Sequence, residues 1–276
     1  INKIETSSVP WIAALHGAVL GGGAEIALGC RYRIARANAT IGFPEVILGL
    51  VPGAGGTQRL PRLIGCPETL KMIPTGKTIS GSIALTIGLV DEVSNNPVNA
   101  ASFINRQTLD RITPMSKRTT IVGETAHYED AQKSVAKRMR GQDAPLAAIS
   151  LIKTAQSLPL EEGMKKERAK FLELRESSKA RALRHIFFAE RAAKIPENLK
   201  SMMKKPEHVT VMGGGTMGAN IAYAFLNAGL TVMILEADSK GASRASEAVE
   251  KIIASSLSNG RVDLQSATDQ RTRITV

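Results

Sequence analysis

Twice in this chain a run of apolar and β-branched residues leads into a cluster of glycines and then into a helix-forming stretch. The first is the run 9–15 ahead of the glycines in 17–23; the second is the run 208–212 ahead of Gly213, Gly215 and Gly218. Glycine takes the positive φ values that a tight turn needs and lets a backbone come close to another backbone or to a ligand. Strand, glycine turn and helix in succession is a building unit of α/β folds. Soluble domains run at about 100–200 residues, so two such starts in 276 residues fit two domains. With 24 glycines and only 4% aromatic residues, the core must be Ala, Val, Ile and Leu packed by close backbone approach.

Along the chain, residues 9–15 read as a buried strand, 17–23 as a tight turn and 24–30 as a short helix start. Short strands follow at 32–36 and 40–42, then a stretch that is mostly loop over 44–52, and helix over 53–64. A short helix at 80–87 leads through Gly88 to a strand at 89–93. From about 99 to 193 the pattern is helical, with starts at Thr125, Ala144, Leu160 and Ser178; Pro145 and Pro159 suit first turns. Residues 195–206, with two prolines and a Lys/Met-rich stretch, read as a linker. Strand 208–212, helix 216–227, strand 231–236 and helix 239–257 then open a parallel doubly wound sheet. The tail 258–276 is polar and aperiodic, and no third strand is evident in it. The longest apolar stretch, 9–28, is interrupted by His16, glycines and Glu25, which argues against a membrane span. Cys30 and Cys66 are too few for a disulfide framework and read as small buried residues. No metal site is evident.

The net charge is +11, and residues 101–205 carry most of it, with 22 Lys/Arg against 12 Asp/Glu. Three readings compete: a solvated helical face, a nucleic-acid surface, or a site for a polyanionic small molecule. The charges lack the interleaved aromatic residues of a single-strand platform, which argues against nucleic acid.

The chemistry lies at the two glycine clusters. In residues 14–25 a strand end, three glycines and Glu25 meet at a helix start, where exposed N–H groups and the helix dipole can hold a developing oxyanion. Twenty residues on, Glu45 follows Pro44 and precedes a second glycine cluster, so paired acid–base chemistry is open to the chain. As a residue at a helix start, Glu25 is equally a favourable dipole partner and no more. The stretches GAVLGGGAEIALGC and FPEVILGLVPGAGGTQRLPRLIG, with SGSIALTIGLVDEV over 80–93, closely resemble the crotonase, or enoyl-CoA hydratase/isomerase, family. The resemblance implies that the Gly22 N–H binds a thioester oxygen, that Glu25 activates water for attack at C3, and that Glu45 gives a proton to C2. Members that only isomerise generally need a carboxylate at the Glu45 position alone. The presence of both therefore favours hydration, with isomerisation through Glu45 as a side activity.

The second cluster is a strand followed by GxGxxG and a helix. Gly213 permits the tight turn, Gly215 lets a pyrophosphate approach and Gly218 lets helix and strand pack, with Thr216 and Met217 completing the set. Glu236, 18 residues past Gly218, is placed to bind a ribose 2′-hydroxyl and to repel a 2′-phosphate, so NAD is the expected cofactor. The stretch VTVMGGGTMGANIAYAFLNAGLTVMILEAD resembles the start of the 3-hydroxyacyl-CoA dehydrogenase family. Together with the connector over 144–196, the order resembles the fused hydratase–dehydrogenase enzymes of fatty-acid β-oxidation. That resemblance implies that a helix bearing Phe188 and Arg191, with Phe171, folds over an acyl-CoA.

The expected fold is therefore α/β. A partial crotonase-like β-β-α spiral would occupy 1–98, the helical remainder and linker 99–205, and the first half of a Rossmann-type sheet 206–276. The chain begins at Ile1 without a signal segment and reads as an excerpt of a longer protein. By the resemblance it lacks an upstream loop donating a second oxyanion N–H and, downstream, the dehydrogenase's catalytic His and Glu. As an isolated piece it is expected to have neither full activity. The rival reading is a truncated, non-catalytic module that binds acyl-CoA or RNA. The expected partner is an acyl-CoA thioester, in the cytoplasm of a bacterium or the peroxisome of a eukaryote; a thiolase partner and self-association stay open.

Overall fold

A computed structural model describes residues 1–194 and 206–276, together with Leu199 and Lys204. The chain divides into two compact units, Ile1–Lys194 and Ile195–Val276. The linker read over 195–206 lies, apart from Leu199, Lys204 and Pro206, outside the described residues.

In the first unit, a short helix α1 (Asn2–Glu5) precedes strands β1 (Ile12–Leu15) and β2 (Ala18–Leu20) and helix α2 (Gly22–Gly29). The motif repeats with β3 (Tyr32–Ala35), β4 (Thr40–Gly42), a 3₁₀ turn over Pro44–Leu48 and helix α3 (Gly56–Met72). A third pass places β5 (Thr78–Ser80), α4 (Gly81–Thr86) and β6 (Glu92–Val93). One strand of each pass joins one sheet, in the order β1-β3-β6, and the other joins a second, β2-β4-β5; in the third pass β5, the strand of the second sheet, comes first. β1 and β3 run parallel with Ile12 opposite Tyr32, β2 and β4 parallel with Ala18 opposite Thr40, and β5 closes antiparallel on β4. Gly17, at φ +63°, turns the chain from the first sheet into the second. The result is the β-β-α spiral, and it brings successive helix starts together.

Helices α5 (Pro97–Ala101), α6 (Arg106–Arg111), α7 (Thr125–Arg138), α8 (Ala144–Thr154), α9 (Leu160–Glu176) and α10 (Ser178–Ala192) complete the unit. The last four begin at the starts read from the sequence. Pro145 sits in the first turn of α8, Pro159 is the N-cap of α9, and the Ser177 hydroxyl accepts from the Ala180 N–H ahead of α10. Ala148, Ile149 and Ile152 of α8 join Leu60 of α3, Phe43 and Val46 in a single apolar core. Cys30 and Cys66 are both free and buried.

Several local expectations change. The strand over 9–15 is confined to Ile12–Leu15, and β2 interrupts the supposed turn 17–23, leaving Gly17 and Gly21 as the turning points. The loop over 44–52 opens with a 3₁₀ turn because Pro44 fixes a helical φ and Gly49, at φ +73°, ends it. Helix α3 begins at Gly56 and runs to Met72 across a kink at Gly65, whose φ of 85° and ψ of 160° leave the helical region. The strand read over 89–93 is reduced to Glu92–Val93.

The second unit holds β7 (His208–Met212), α11 (Thr216–Asn227), β8 (Thr231–Leu235), α12 (Ser239–Ser258), α13 (Leu264–Thr272) and β9 (Ile274–Thr275). β7, β8 and β9 form one parallel sheet, with β8 between the other two. The polar tail therefore does contain a helix and a third strand. α13 escapes a periodicity reading because it buries only Ala267 and Gln270. It is held by polar contacts instead: Asp263 caps it through the Ser266 N–H at 2.7 Å, and Arg271 makes a two-pronged pair with Glu250.

Candidate active site

Helix α2 is N-capped by Gly21, whose φ of +54° only glycine adopts without strain. The N–H groups of Gly22 and Gly23, in the first turn, donate to no acceptor among the described residues, and both residues are exposed. A helix start with free N–H groups and a positive dipole end is suited to an oxyanion.

Glu25 lies one turn in and is buried, at 4% exposure. Its Oε1 accepts from the N–H groups of Ala54 and Gly56, both at 2.8 Å. Burial pushes its carboxyl above the ordinary carboxylate range, while those two N–H groups and the Arg59 guanidinium oppose the rise. One oxygen is thus fixed; the other has no hydrogen-bond partner among the described residues and is left for a ligand.

Glu45 reaches the same helix start from the 3₁₀ turn. A Cβ on Gly21 would fall 2.9 Å from Glu45 Oε1, so the carboxyl lies directly against the helix start. Glu45 Oε2 is buried with no hydrogen-bond partner among the described residues. Burial, with a smaller push from the Glu25 charge, raises this carboxyl to about 7, against the pull of its own backbone N–H. The two carboxylates read from the sequence therefore come together at the mouth of α2 with different surroundings: Glu25 is held by two donors, while Glu45 is near half-protonation at neutral pH. Two carboxyl groups whose environments differ in this way are the usual basis of an acid–base pair.

The remaining candidates are less convergent. Phe171 is half-buried on α9 with its ring against Gly53, and the Arg168 guanidinium lies 5.1 Å from the ring centre. Phe188 is 64% exposed on α10, and Arg191 stacks over Phe187 at 3.8 Å. The start of α10 packs close to the Glu45 turn, with Ala180 Cα 2.8 Å from where a Gly49 Cβ would stand. Phe188 is two turns further along, about 12 Å at 1.5 Å per residue.

Sequence reading missed Glu167. It is fully buried on α9 and accepts from the Gly55 N–H at 2.6 Å, the Thr57 N–H at 2.7 Å and the Thr57 hydroxyl at 2.6 Å. Burial pushes it up to about 8, and the Glu25 charge adds to the rise against those three donors. The signal was present: Glu167 interrupts the stripe Leu160, Gly163 and Leu174 that α9 buries.

In the second unit, Gly213 has φ +86° and the loop opens α11 from an N-cap, Gly215, with no side-chain cap. A Cβ on Gly218 would lie 1.8 Å from the Gly213 carbonyl oxygen, so helix and turn touch there, whereas nothing stands within 4 Å of a Cβ on Gly215. Thr216 and Met217 are exposed at the helix start. Glu236 Oε1 accepts from the Gly214 N–H at 2.5 Å, which ties the end of β8 to the glycine loop. A cavity of about 680 Å³ opens beside them, lined by Gly214, Gly215, Thr216, Asn220, Glu236 and Arg244 among others. An uncapped helix start, an open Gly215 and a carboxylate at the next strand end fit a dinucleotide. Among the described residues no cluster of three or more His, Cys, Asp or Glu could hold a metal ion, and no helix is long and apolar enough to cross a membrane.

The chain has relatives among known proteins. The chain belongs to the enoyl-CoA hydratase/isomerase family, which matches residues 1–179. Residues 208–276 match the NAD binding domain of 3-hydroxyacyl-CoA dehydrogenase, so NAD is the dinucleotide of the second unit. The chain is 37% identical over 275 residues to the peroxisomal bifunctional enzyme of Cavia porcellus, covering 95% of this chain and 38% of that protein. It is 33% identical over 266 residues to the fatty acid oxidation complex subunit alpha of Shewanella sp. (strain MR-4), covering 91% and 38%. A crystal structure of enoyl-CoA hydratase/isomerase from Pseudoalteromonas atlantica T6c aligns with 70% of this chain and 67% of its own, at a TM-score of 0.46 and 23% identity. The chain thus spans 38% of the length of these two curated relatives.

Proposed function

We propose that this chain is part of a bifunctional enzyme that hydrates a trans-2-enoyl-CoA and oxidises the resulting 3-hydroxyacyl-CoA with NAD. The observation that carries the reading is the meeting of Glu25 and Glu45 at the free N–H groups of α2, with one carboxylate fixed and the other near neutrality. The Gly22 N–H holds the thioester oxygen as negative charge gathers on it. Glu25, with Oε1 tied to Ala54 and Gly56, uses its second oxygen to take a proton from water as the hydroxyl adds to C3. Glu45 gives its proton to C2, and a proton passes back to it from Glu25 or solvent before the next turnover. Two new bonds, C3–O and C2–H, replace the carbon–carbon π bond, with no net change in protons. Phe171, Phe188 and Arg191 bind the acyl-CoA, the last two from the exposed end of α10.

NAD, when bound, would supply the hydride acceptor for oxidation at C3 of the hydroxyacyl group. The chain's own part is to bind it. The N–H groups at the start of α11 take the pyrophosphate across the open Gly215, with Gly213, Thr216, Met217 and Gly218 shaping the turn, and Glu236 meets the ribose. In this reading residues 1–98 form the hydratase core, 99–205 its helical completion and linker, and 206–276 the start of the dehydrogenase. The enzyme works in a bacterial cytoplasm or a eukaryotic peroxisome according to its source.

The test is hydration and 3-enoyl to 2-enoyl isomerisation by the full-length protein and its Glu25→Gln and Glu45→Gln variants. Glu25→Gln is expected to lose hydration by about 10²–10⁴-fold and keep part of the isomerisation, while Glu45→Gln loses both. Equal loss of the two activities in Glu25→Gln would sink the division of roles. Absence of both from the wild-type protein, with retained CoA-independent RNA binding, would point to the non-catalytic module.

A further inference from the structure

Four consecutive backbone N–H groups leading into α3 are divided between two carboxylates in alternation. Ala54 and Gly56 donate to Glu25, and Gly55 and Thr57 donate to Glu167. Gly55, Gly56 and Thr57 are among the donors that a helix start leaves unpaired, Ala54 precedes the cap, and here all four are taken by acidic side chains. The alternation depends on Gly55, whose φ of +110° lies outside the range of ordinary side chains. No Cβ would fit there in any case, because Arg59 Nη1 stands 1.9 Å from its place.

Helix α9 grips this segment from the side opposite Glu25. Met164 Sδ stands 3.2 Å from the place of a Gly55 Cβ, and the Phe171 ring stands 2.8 Å from that of a Gly53 Cβ. Between them Glu167 supplies the polar hold, with the Thr57 hydroxyl as its third donor. A fully buried carboxylate is costly to keep unless its donors are fixed around it. What its donors fix in turn is the strand of backbone that carries the two N–H groups on Glu25.

We propose that Glu167 is a positioning residue for hydration. By taking the Gly55 and Thr57 N–H groups it sets the Ala54 and Gly56 N–H groups on Oε1 of Glu25 and leaves the second Glu25 oxygen aimed at water. Glu167 touches no reacting atom and acts through residues 54–57. The inference rests on the reading of Glu25 as the group that activates water. A displacement of about 1 Å at a reacting group costs on the order of 10²-fold in rate, which sets the scale of the effect.

The experiment compares Glu167→Gln, Thr57→Val and Leu174→Ala in the full-length protein. For each, hydration of a 2-enoyl-CoA gives kcat and KM, and thermal melting gives the loss of stability. In Glu167→Gln one carboxylate oxygen becomes an NH₂ facing N–H donors, so the segment loses one of its two ties. Thr57→Val keeps both N–H ties to Glu167 and removes the hydroxyl bond to it, together with the bond that the hydroxyl accepts from Gln58 Nε2. Leu174 is buried two turns along the same helix and touches the apolar core, so its truncation measures what destabilising α9 does by itself. The expected result is a kcat about 10²-fold lower in Glu167→Gln with KM unchanged, a smaller loss of the same kind in Thr57→Val, and wild-type kcat in Leu174→Ala despite a lower melting temperature. Wild-type kcat in Glu167→Gln overturns the proposal, as does a loss in Leu174→Ala that matches its loss of stability. If Glu167→Gln does not fold, Thr57→Val decides alone, and wild-type kcat there overturns it. Hydration by wild type but undiminished in Glu25→Gln would instead overturn the reading of Glu25, and this inference with it.

Discussion

Replacing Glu45 by Gln should stabilise the fold, and only on the alkaline side. In the folded chain Glu45 releases its proton near 7, because burial withholds water from Oε2, which has no other partner. An unfolded Glu releases its proton near 4.5. Below that value both states hold the proton and the carboxyl has no pH-dependent effect. Between the two values the unfolded chain has lost a proton that the folded chain keeps, so stability falls as pH rises, and above about 7 the full penalty is in place. The gap of two and a half units, at 1.36 kcal/mol each, sets an upper bound of about 3 kcal/mol. The side chain keeps some contact with solvent, which lowers the expected effect to between about 1 and 3 kcal/mol.

Glu45→Gln removes the ionisation and therefore the penalty. Urea unfolding of wild type and variant at about pH 4 and about pH 8 measures it as the change in their stability difference between the two conditions, so any constant effect of the amide cancels. Read as heat stability, about 2–4 °C per kcal/mol for a unit of this size, the variant should gain several degrees at alkaline pH and none in acid. Hydration should be lost at both. A stability difference that does not change with pH would refute the argument, because the acid role given to Glu45 and the penalty have the same origin in the dry pocket.

Two further predictions concern the scaffold. Gly218→Ala puts a Cβ against the Gly213 carbonyl and should lower both melting temperature and NAD affinity, whereas Gly215→Ala enters open space and should lower NAD affinity roughly tenfold with melting unchanged. Calorimetric titration with NAD alongside a melting curve separates the two, and equal melting losses would refute the distinction. Arg59→Met should cost about 3–5 kcal/mol in urea unfolding, because it leaves the buried Glu5 carboxylate, also bonded by the Ser116 N–H, without its cation. A loss below about 1 kcal/mol would show that Glu5 finds other partners.

What the sequence determined by itself was local. Glycines 17, 21, 213 and 215, the helix starts at Thr125, Ala144, Leu160 and Ser178, and the carboxylates at 25 and 45 each act within a few residues of chain, so their chemistry can be read there. The second unit was legible for the same reason, since its turn, helix start and acidic strand end follow one another within about 30 residues, the length of a βαβ unit. Elements without an apolar period were not legible: α13 buries two residues, and β9 is two residues long. Tertiary structure alone decided which groups meet. Glu25 is bonded to a backbone segment 29 residues away, and Glu167 reaches the same segment across 112. The spiral stacks one helix start on the next and so holds Glu45 against Gly21, while α9, packed on α3 from outside the spiral, brings Glu167 to the segment that binds Glu25. A carboxylate's protonation depends on what surrounds it in space, and no spacing along the chain encodes that.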